Sequence, residues 1–393
     1  MSHFRIIVTG LIAQHPQLGG LTWHYMQYVL GLSRLGHDVL YLEDSGEWPY
    51  VIDGDTSMGW VARDARQNIS HVDLTMRRFE LNWAYRNPLE NKWHGISDNK
   101  RREFINTADL LINVSGSLEN PNHYRGRATM AYIDTDPIFT QAKIARGEEE
   151  FAARVAAHDV HFSFGEALSS SVPPTEFIWR PTRQPVVLDE WRHDVSPRPN
   201  FTTVMNWTSY RPLEWKGQTY AQKDVEFEKF RALPALIPEI PLELAIGSIL
   251  HREWEGKTRS QLPSLKSSGW LVADAFEVCA GLDAYRNYVL HSKAEWSVAK
   301  NGYVVGRPGW FSDRSACYLA AGRPVVVQDT GFSSIIPTGR GVLSFSTIDE
   351  AANDIKAVTA NYRRHSRAAT DIAASFFSSD DVLNNLIEVS VSV

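Results

Sequence analysis

Two stretches of the chain place glycines, hydroxyls and charges where a phosphorylated ligand could be held. The first is Gly19-Gly20-Leu21-Thr22-Trp23-His24, at the mouth of a segment with helical spacing. Glycines let a ligand approach the backbone, and a helix N-terminus offers unpaired N–H groups to an anion. The spacing is neither GxGxxG nor GxxxxGK[ST], so the pair alone names no ligand. The second begins as a Gly-rich loop, Gly302-Tyr303-Val304-Val305-Gly306-Arg307-Pro308-Gly309-Trp310-Phe311. It runs through Ser312-Asp313-Arg314-Ser315 into the helical Ala316-Cys317-Tyr318-Leu319-Ala320-Ala321-Gly322. A buried strand, Pro324-Val325-Val326-Val327-Gln328, and a second Gly loop, Asp329-Thr330-Gly331, follow. Ser312 is placed to cap the helix. Ser315, one turn in, can present its hydroxyl to a diphosphate. Proton transfer calls for His, Asp or Glu, and His15, His24, Asp134 and Asp136 are the candidates, the two Asp at a strand end.

Alternating strands and helices must position these groups. Phe4 to Ile12 is an apolar, β-branched run. Leu21, Tyr25, Tyr28, Val29, Leu32 and Leu35 follow at helical spacing, and Asp38 to Glu43 reads as a second strand. This strand–loop–helix–strand unit opens a parallel, doubly wound sheet. Residues 45–100 are rich in Trp, Asn, Arg and Gly with little periodicity. Strands return at 108–115 and 128–134, a helix at about 139–157, and strands at 158–164 and 177–179. Arg192 to Pro199 is polar with two prolines and reads as a linker. The alternation then restarts: strand 202–207, helix 219–233, strands 242–246 and 270–272, helix 281–292, strand 295–299, helix 312–321, strands 324–328 and 342–345, helix 347–361, and a helical tail at about 367–390.

The chain has 393 residues, enough for two domains, with 43% hydrophobic and 22% charged residues. That composition excludes a disordered or collagen-like chain. The net charge of −6 disfavours a general polyanion binder. Two cysteines, Cys279 and Cys317, cannot build a disulfide framework, which fits a reducing, cytoplasmic location. No run reaches the roughly 18 apolar residues of an integral membrane segment. HExxH, CxxC, EF-hand and GxSxG patterns are all missing, so no metal ligand is assigned.

The helix followed by Ala320-Ala321-Gly322-Arg323-Pro324-Val325-Val326-Val327-Gln328-Asp329-Thr330-Gly331 resembles the donor-side block of GT-B glycosyltransferases of the family-4 type. Gly19 to Val39, with its Gly-Gly loop, helical histidine and Gly-His-x-Val ending, resembles their N-terminal block. The resemblance implies an α/β protein of two facing Rossmann-like domains. The expected boundaries are 1–195 on the acceptor side, 196–366 on the nucleotide-sugar side, and a helical tail, 367–393, packing back on the first domain.

The resemblance also implies a nucleotide-sugar donor, a UDP-sugar being the commonest, with no further cofactor and no metal. The acceptor, a small molecule or a polymer, is not named by any residue. Arg211 and Lys216, after the first strand of the second domain, are expected on the diphosphate, with Lys300 and Arg307 as further cations. Ser312 and Ser315 join them, Gly19 and Gly20 line the opposite side, and Asp329 and Gly331 lie near the sugar or ribose. His24 is the favoured base, with Asp134 and Asp136 as rivals. The two-domain reading argues against a metal role for Asp134-Thr135-Asp136.

Two Glu that many such enzymes carry are replaced by Gly309 and Cys317, with Asp313 as a shifted substitute. Three alternatives stay open. They are a non-hydrolysing nucleotide-sugar epimerase, an inactive nucleotide-sugar-binding protein, and a nucleic-acid-base glycosyltransferase using the strip Arg77, Arg78, Lys100, Arg101 and Arg102. Nucleic acid is not the favoured partner.

Overall fold

Ile6, Ile7 and Val8 form the centre of the first strand and are at most 1% exposed, so both faces of that strand are covered. Continuous apolar runs of this kind belong to parallel sheets clothed by helices on both sides. The computed structural model describes residues 3–51, 61–168, 171–247 and 252–392, with the backbone alone at 252–257. Part of the irregular 45–100 stretch, residues 52–60, lies outside the described residues.

The N-terminal half contains β1 (Arg5–Thr9), α1 (Gly19–Arg34), β2 (Asp38–Glu43), α2 (Arg66–Arg78), β3 (Asn82–Asn87), β4 (Lys92–Gly95), α3 (Asp98–Thr107), β5 (Leu110–Val114), β6 (Thr129–Asp134), α4 (Phe139–Ala145), α5 (Glu149–Ala156), β7 (Val160–Ser163) and β8 (Trp179–Pro181). Its sheet has the order β4-β3-β2-β1-β5-β6-β7-β8, parallel except where β4 turns back on β3. The helix expected over 139–157 is two helices, because Gly147 takes a left-handed φ of 80° between them.

The C-terminal half contains β9 (Phe201–Asn206), β10 (Leu213–Trp215), β11 (Gln218–Tyr220), α6 (Lys223–Phe227), α7 (Leu233–Leu236), β12 (Leu242–Gly247), α8 (Arg252–Ser267), β13 (Leu271–Asp274), α9 (Ala275–Val278), α10 (Gly281–His291), β14 (Ala294–Ser297), α11 (Asn301–Gly306), α12 (Asp313–Ala320), β15 (Val325–Gln328), β16 (Val342–Phe345), α13 (Ile348–Ala360), α14 (Tyr362–Phe376) and α15 (Ser379–Val391). Its six strands are ordered β13-β12-β9-β14-β15-β16 and all run parallel. Residues 192–200, between the two sheets, carry no helix or strand.

The expected helix over 219–233 is instead the end of a hairpin, the short α6 and a further turn. Lys216 and Gly217, both at positive φ, make the two-residue hairpin turn at 215–218. The expected Gly-rich loop at 302–306 is the helix α11.

One apolar cluster runs through both halves, from Ile6, Tyr25 and Met26 to Leu282, Tyr285, Leu319 and Leu386. The tail returns as expected: α15 packs on α1, where a Cβ on Gly31 would lie 2.6 Å from Leu383 Cδ1. Among the described residues, no helix is long and apolar enough to cross a membrane.

Candidate functional site

In each sheet the strand order reverses about its first strand, β1 in one half and β9 in the other. Open α/β sheets bind ligands beyond the carboxyl ends of their strands at such a switch point. Here the two switch points face each other across a cleft of about 340 Å³. Gln17 to Leu21, His24, Ser115, Thr135 and Phe164 line it from the N-terminal half. Val204, Met205, Asn206, Lys223, Gly247, Phe276, Tyr285, Trp310, Asp313 and Arg314 line it from the C-terminal half.

His24 sits in the second turn of α1 and is 8% exposed. Its Nδ1 is buried, makes no hydrogen bond, and lies 3.7 Å from the Asp313 Oδ2 of the opposite half. Burial lowers its pKa, and the Asp313 charge opposes that in part. The ring is therefore a neutral imidazole at pH 7, able to take a proton and facing a carboxylate that favours the resulting cation. Asp313 opens α12, where a helix N-terminus favours a negative charge.

Two cations reach the cleft. Arg314 is already committed: it donates to Glu295 Oε1 at 2.5 Å, to Val204 O at 2.8 Å and to Ser297 Oγ at 2.6 Å. Lys223, the first residue of α6, is half-buried and has no hydrogen-bond partner among the described residues. Burial, and then the Arg314 and Lys300 charges, pull its pKa down to about 7. An anion beside this ammonium, which has no partner among the described residues, would return its charge.

Of the residues singled out from sequence, Gly19, Gly20, His24 and Asp313 line the cleft. The glycines serve the domain contact first. Gly19 N donates to Cys279 O at 3.2 Å and Gly281 N to Gln17 O at 3.2 Å. A Cβ on Gly19 would overlap Gly281 O, and one on Gly20 would press the Tyr285 ring at 3.0 Å. Gly302 is likewise 2.7 Å from Phe139 Cζ at its notional Cβ, and Gly306 abuts Ile138. Gly19→Ala is therefore expected to destabilise the protein by roughly 1–3 kcal/mol through overpacking against backbone that cannot yield. Denaturant unfolding checks this, with Gly126→Ala as control, because only one neighbouring atom, at 3.9 Å, meets a Cβ there.

The other candidates lie elsewhere. Arg211 precedes the β10–β11 hairpin and Lys216 forms its turn; both are exposed, and Lys216 lies over its neighbour Trp215 at 4.7 Å. Arg307 pairs with Asp329 at 2.8 Å. Asp329 also accepts from Gly331 N at 2.9 Å and Ser333 Oγ at 3.0 Å, so it closes its own turn. Gly331, at φ 95°, leaves room for Arg307 O at 2.9 Å from its notional Cβ. Ser312 starts α12 without a side-chain cap, its hydroxyl turned to Asp313 at 3.3 Å. Ser315 is 1% exposed, inside the helix packing.

Asp134 is buried and fully bonded, accepting from Asp136 N, Thr140 Oγ1, Gln141 Nε2 and Ser163 Oγ at 2.7–3.0 Å; burial raises its pKa. Asp136 takes the Lys300 ammonium at 2.8 Å and the hydroxyls of Tyr210 and Tyr303, a clasp between the halves. Although burial opposes ionisation, these partners hold its carboxyl low. His15 stacks on Tyr50, and burial lowers its pKa to about 4. The basic strip is largely neutralised: Arg77 pairs with Asp73, Arg78 with Asp283, and Arg101 with Asp98. Among the described residues, no group of three or more His, Cys, Asp or Glu could hold a metal ion.

Lys223, Asn206, Tyr285 and Trp310 were not legible as site residues. Lys223 follows an irregular hairpin and belongs to no motif, and the others answer only to the closure of the two halves.

No protein-family model and no curated protein sequence matches the chain. Solved structures do. HepE of Anabaena, in complex with UDP-glucose, superposes with a TM-score of 0.58 at 12% identity over 100% of both chains. An alpha-glucosyltransferase in complex with UDP gives 0.58 at 11% over 98% of each chain. Sucrose-phosphate synthase from Thermosynechococcus elongatus gives 0.54 at 10% over 98% of this chain and 97% of its own. At these identities the likeness is one of fold. The chain has the GT-B fold from end to end.

Proposed function

We propose that the protein is a glycosyltransferase that moves a sugar from a nucleotide-sugar donor, a UDP-sugar first, to an acceptor hydroxyl presented from the N-terminal half. The carrying observation is the pairing, in one cleft, of an ammonium from one half, without a hydrogen-bond partner among the described residues, with a neutral histidine from the other. Solved proteins of the same fold bind UDP or UDP-glucose, which supports the choice of donor.

In this reading the diphosphate lies by Lys223, with Asn206 and Arg314 beside it at the strand ends. The acceptor oxygen attacks the anomeric carbon, and the bond from that carbon to the diphosphate oxygen breaks. The acceptor proton passes to His24, whose cation Asp313 stabilises. Lys223 meets the charge on the departing diphosphate, an electrostatic role that is preorganised in the fold. The closed halves keep water from the donor. Cys279 and Cys317 are both unpaired, in keeping with a reducing, cytoplasmic location.

The test is incubation with a panel of nucleotide sugars, with and without acceptors. Release of nucleoside diphosphate only when an acceptor is present supports transfer. A new nucleotide sugar formed without acceptor would make the protein an epimerase. Binding without turnover across a broad acceptor panel would make it a binding protein.

A further inference from the structure

We infer that Glu43 is a positioning residue for the cleft wall at Gln17–Gly20, and that its protonation state sets how firmly that wall is held. The inference rests on the reading of the cleft as a transfer site.

Glu43 ends β2, is fully buried and does not line the cleft. Its carboxylate is nonetheless used on both oxygens. Oε2 accepts from Ala13 N at 2.7 Å and from the Tyr41 hydroxyl at 2.5 Å, and Oε1 accepts from Gln14 N at 2.6 Å. The Tyr41 oxygen in turn accepts from Ile12 N at 2.9 Å. From the other side Asn68 Nδ2 donates to Ala13 O at 2.8 Å and to Tyr50 O at 2.9 Å. Three consecutive residues of the β1–α1 loop are thus fixed from below. Three residues on, Gln17 takes a left-handed φ of 72°, and the chain becomes the cleft wall that bonds to Cys279 and Gly281 of the other half.

Every group facing the carboxylate is a donor or a neutral phenol. Tyr41 shares its strand, Tyr25 comes from α1 and Tyr85 from β3, and burial raises the pKa of each, so none is charged. The neighbouring Asp44 turns away to Arg86 and Tyr124. With no cation among the described residues to offset burial, the Glu43 carboxyl is pushed up to about 7, the hydrogen bonds opposing this only in part. Protonation would set an O–H among N–H donors and remove an acceptor from the loop.

The signs for stability and for wall order are opposite. A carboxyl raised in the folded state contributes stability below its ordinary range, and that contribution is lost as pH rises through about 7. The hold on the loop instead strengthens over the same interval. A merely structural role would not separate the two.

The experiment measures amide exchange over residues 12–19, corrected for intrinsic rate, at pH 6 and 8, beside kcat/KM for the acceptor from pH 5.5 to 8.5. In the wild type, protection and kcat/KM should rise together with a midpoint near 7. Glu43→Gln should lose that midpoint in both readouts and fall roughly tenfold or more in kcat/KM at pH 8. Tyr41→Phe removes a hydrogen bond that lowers the Glu43 pKa, so it should move the midpoint upward. Retention of the wild-type midpoint in Glu43→Gln, or an unmoved midpoint in Tyr41→Phe, would overturn the inference. Should the wild type transfer no sugar, the transfer reading fails on its own, and exchange alone decides the role of Glu43.

Discussion

His24→Ala is expected to lower the transfer rate by roughly 10²–10⁴-fold while leaving nucleoside diphosphate affinity unchanged. The split follows from where the ring sits. It stands on α1 with one nitrogen buried toward Asp313, whereas the diphosphate is assigned to strand ends of the other half. Burial keeps the imidazole neutral, so Glu43→Gln, which lacks the midpoint near 7, should hold its remaining rate down to pH values below the ordinary histidine range. Asp313→Asn, added to Glu43→Gln, removes the charge that opposes that lowering, so the pH-rate limb should move further down. Pre-steady-state kinetics with a fluorescent donor separates the rate from the affinity. Equal losses in both for His24→Ala would assign the ring to donor binding instead.

The second large effect belongs to Lys223. Lys223→Met keeps the apolar stem and removes the charge. A charge-assisted hydrogen bond contributes about 1.5–3 kcal/mol, so nucleoside diphosphate affinity should fall roughly 10–100-fold. The ammonium titrates at about 7 in the free protein. It is charged below that value and increasingly neutral above it, and a bound phosphate would raise its pKa. Wild-type affinity should therefore weaken as pH rises above 7, and binding near pH 8 should take up a proton. Calorimetry in buffers of different ionisation enthalpy reads that uptake. Lys223→Arg should bind with no such pH dependence. Arg211→Ala and Lys216→Ala, on the exposed hairpin, should bind as the wild type does.

The contrast between Lys223 and Lys216 shows how much of the site the residues disclose by themselves. Local pattern carries the first 43 residues well: an apolar run becomes β1, helical spacing becomes α1, and Asp38 to Glu43 becomes β2. Gly281–His291 and Asp313–Ala320 also lie where periodicity places them.

The pattern is silent where local signals conflict. Arg252–Ser267 is a polar helix with Pro263 inside it. The β3 and β4 strands are short and carry Asn, Arg, Lys and His. The hairpin at 213–220 moves Arg211 and Lys216 off the strand end that its neighbour Asn206 keeps.

Glycine is the more instructive case. Gly19, Gly20, Gly302 and Gly306 invite a phosphate-cradle reading, because a missing side chain is a missing side chain whatever fills the space. In the folded chain Gly281, Tyr285, Phe139 and Ile138 fill it, each from the opposite half. Only the docking of two distant segments distinguishes a ligand from a neighbouring domain, and no local window contains both.

Asp134 and Asp136 show the same limit. Their strand-end position is as expected, yet Ser163 and Gln141 consume one and Lys300 the other.

The most direct test of the account is a crystal structure of the protein with bound UDP. The diphosphate oxygens should lie within hydrogen-bond distance of Lys223 Nζ, on the C-terminal wall of the cleft and opposite His24. A diphosphate seated instead on Arg211 and Lys216, or outside this cleft, would contradict it.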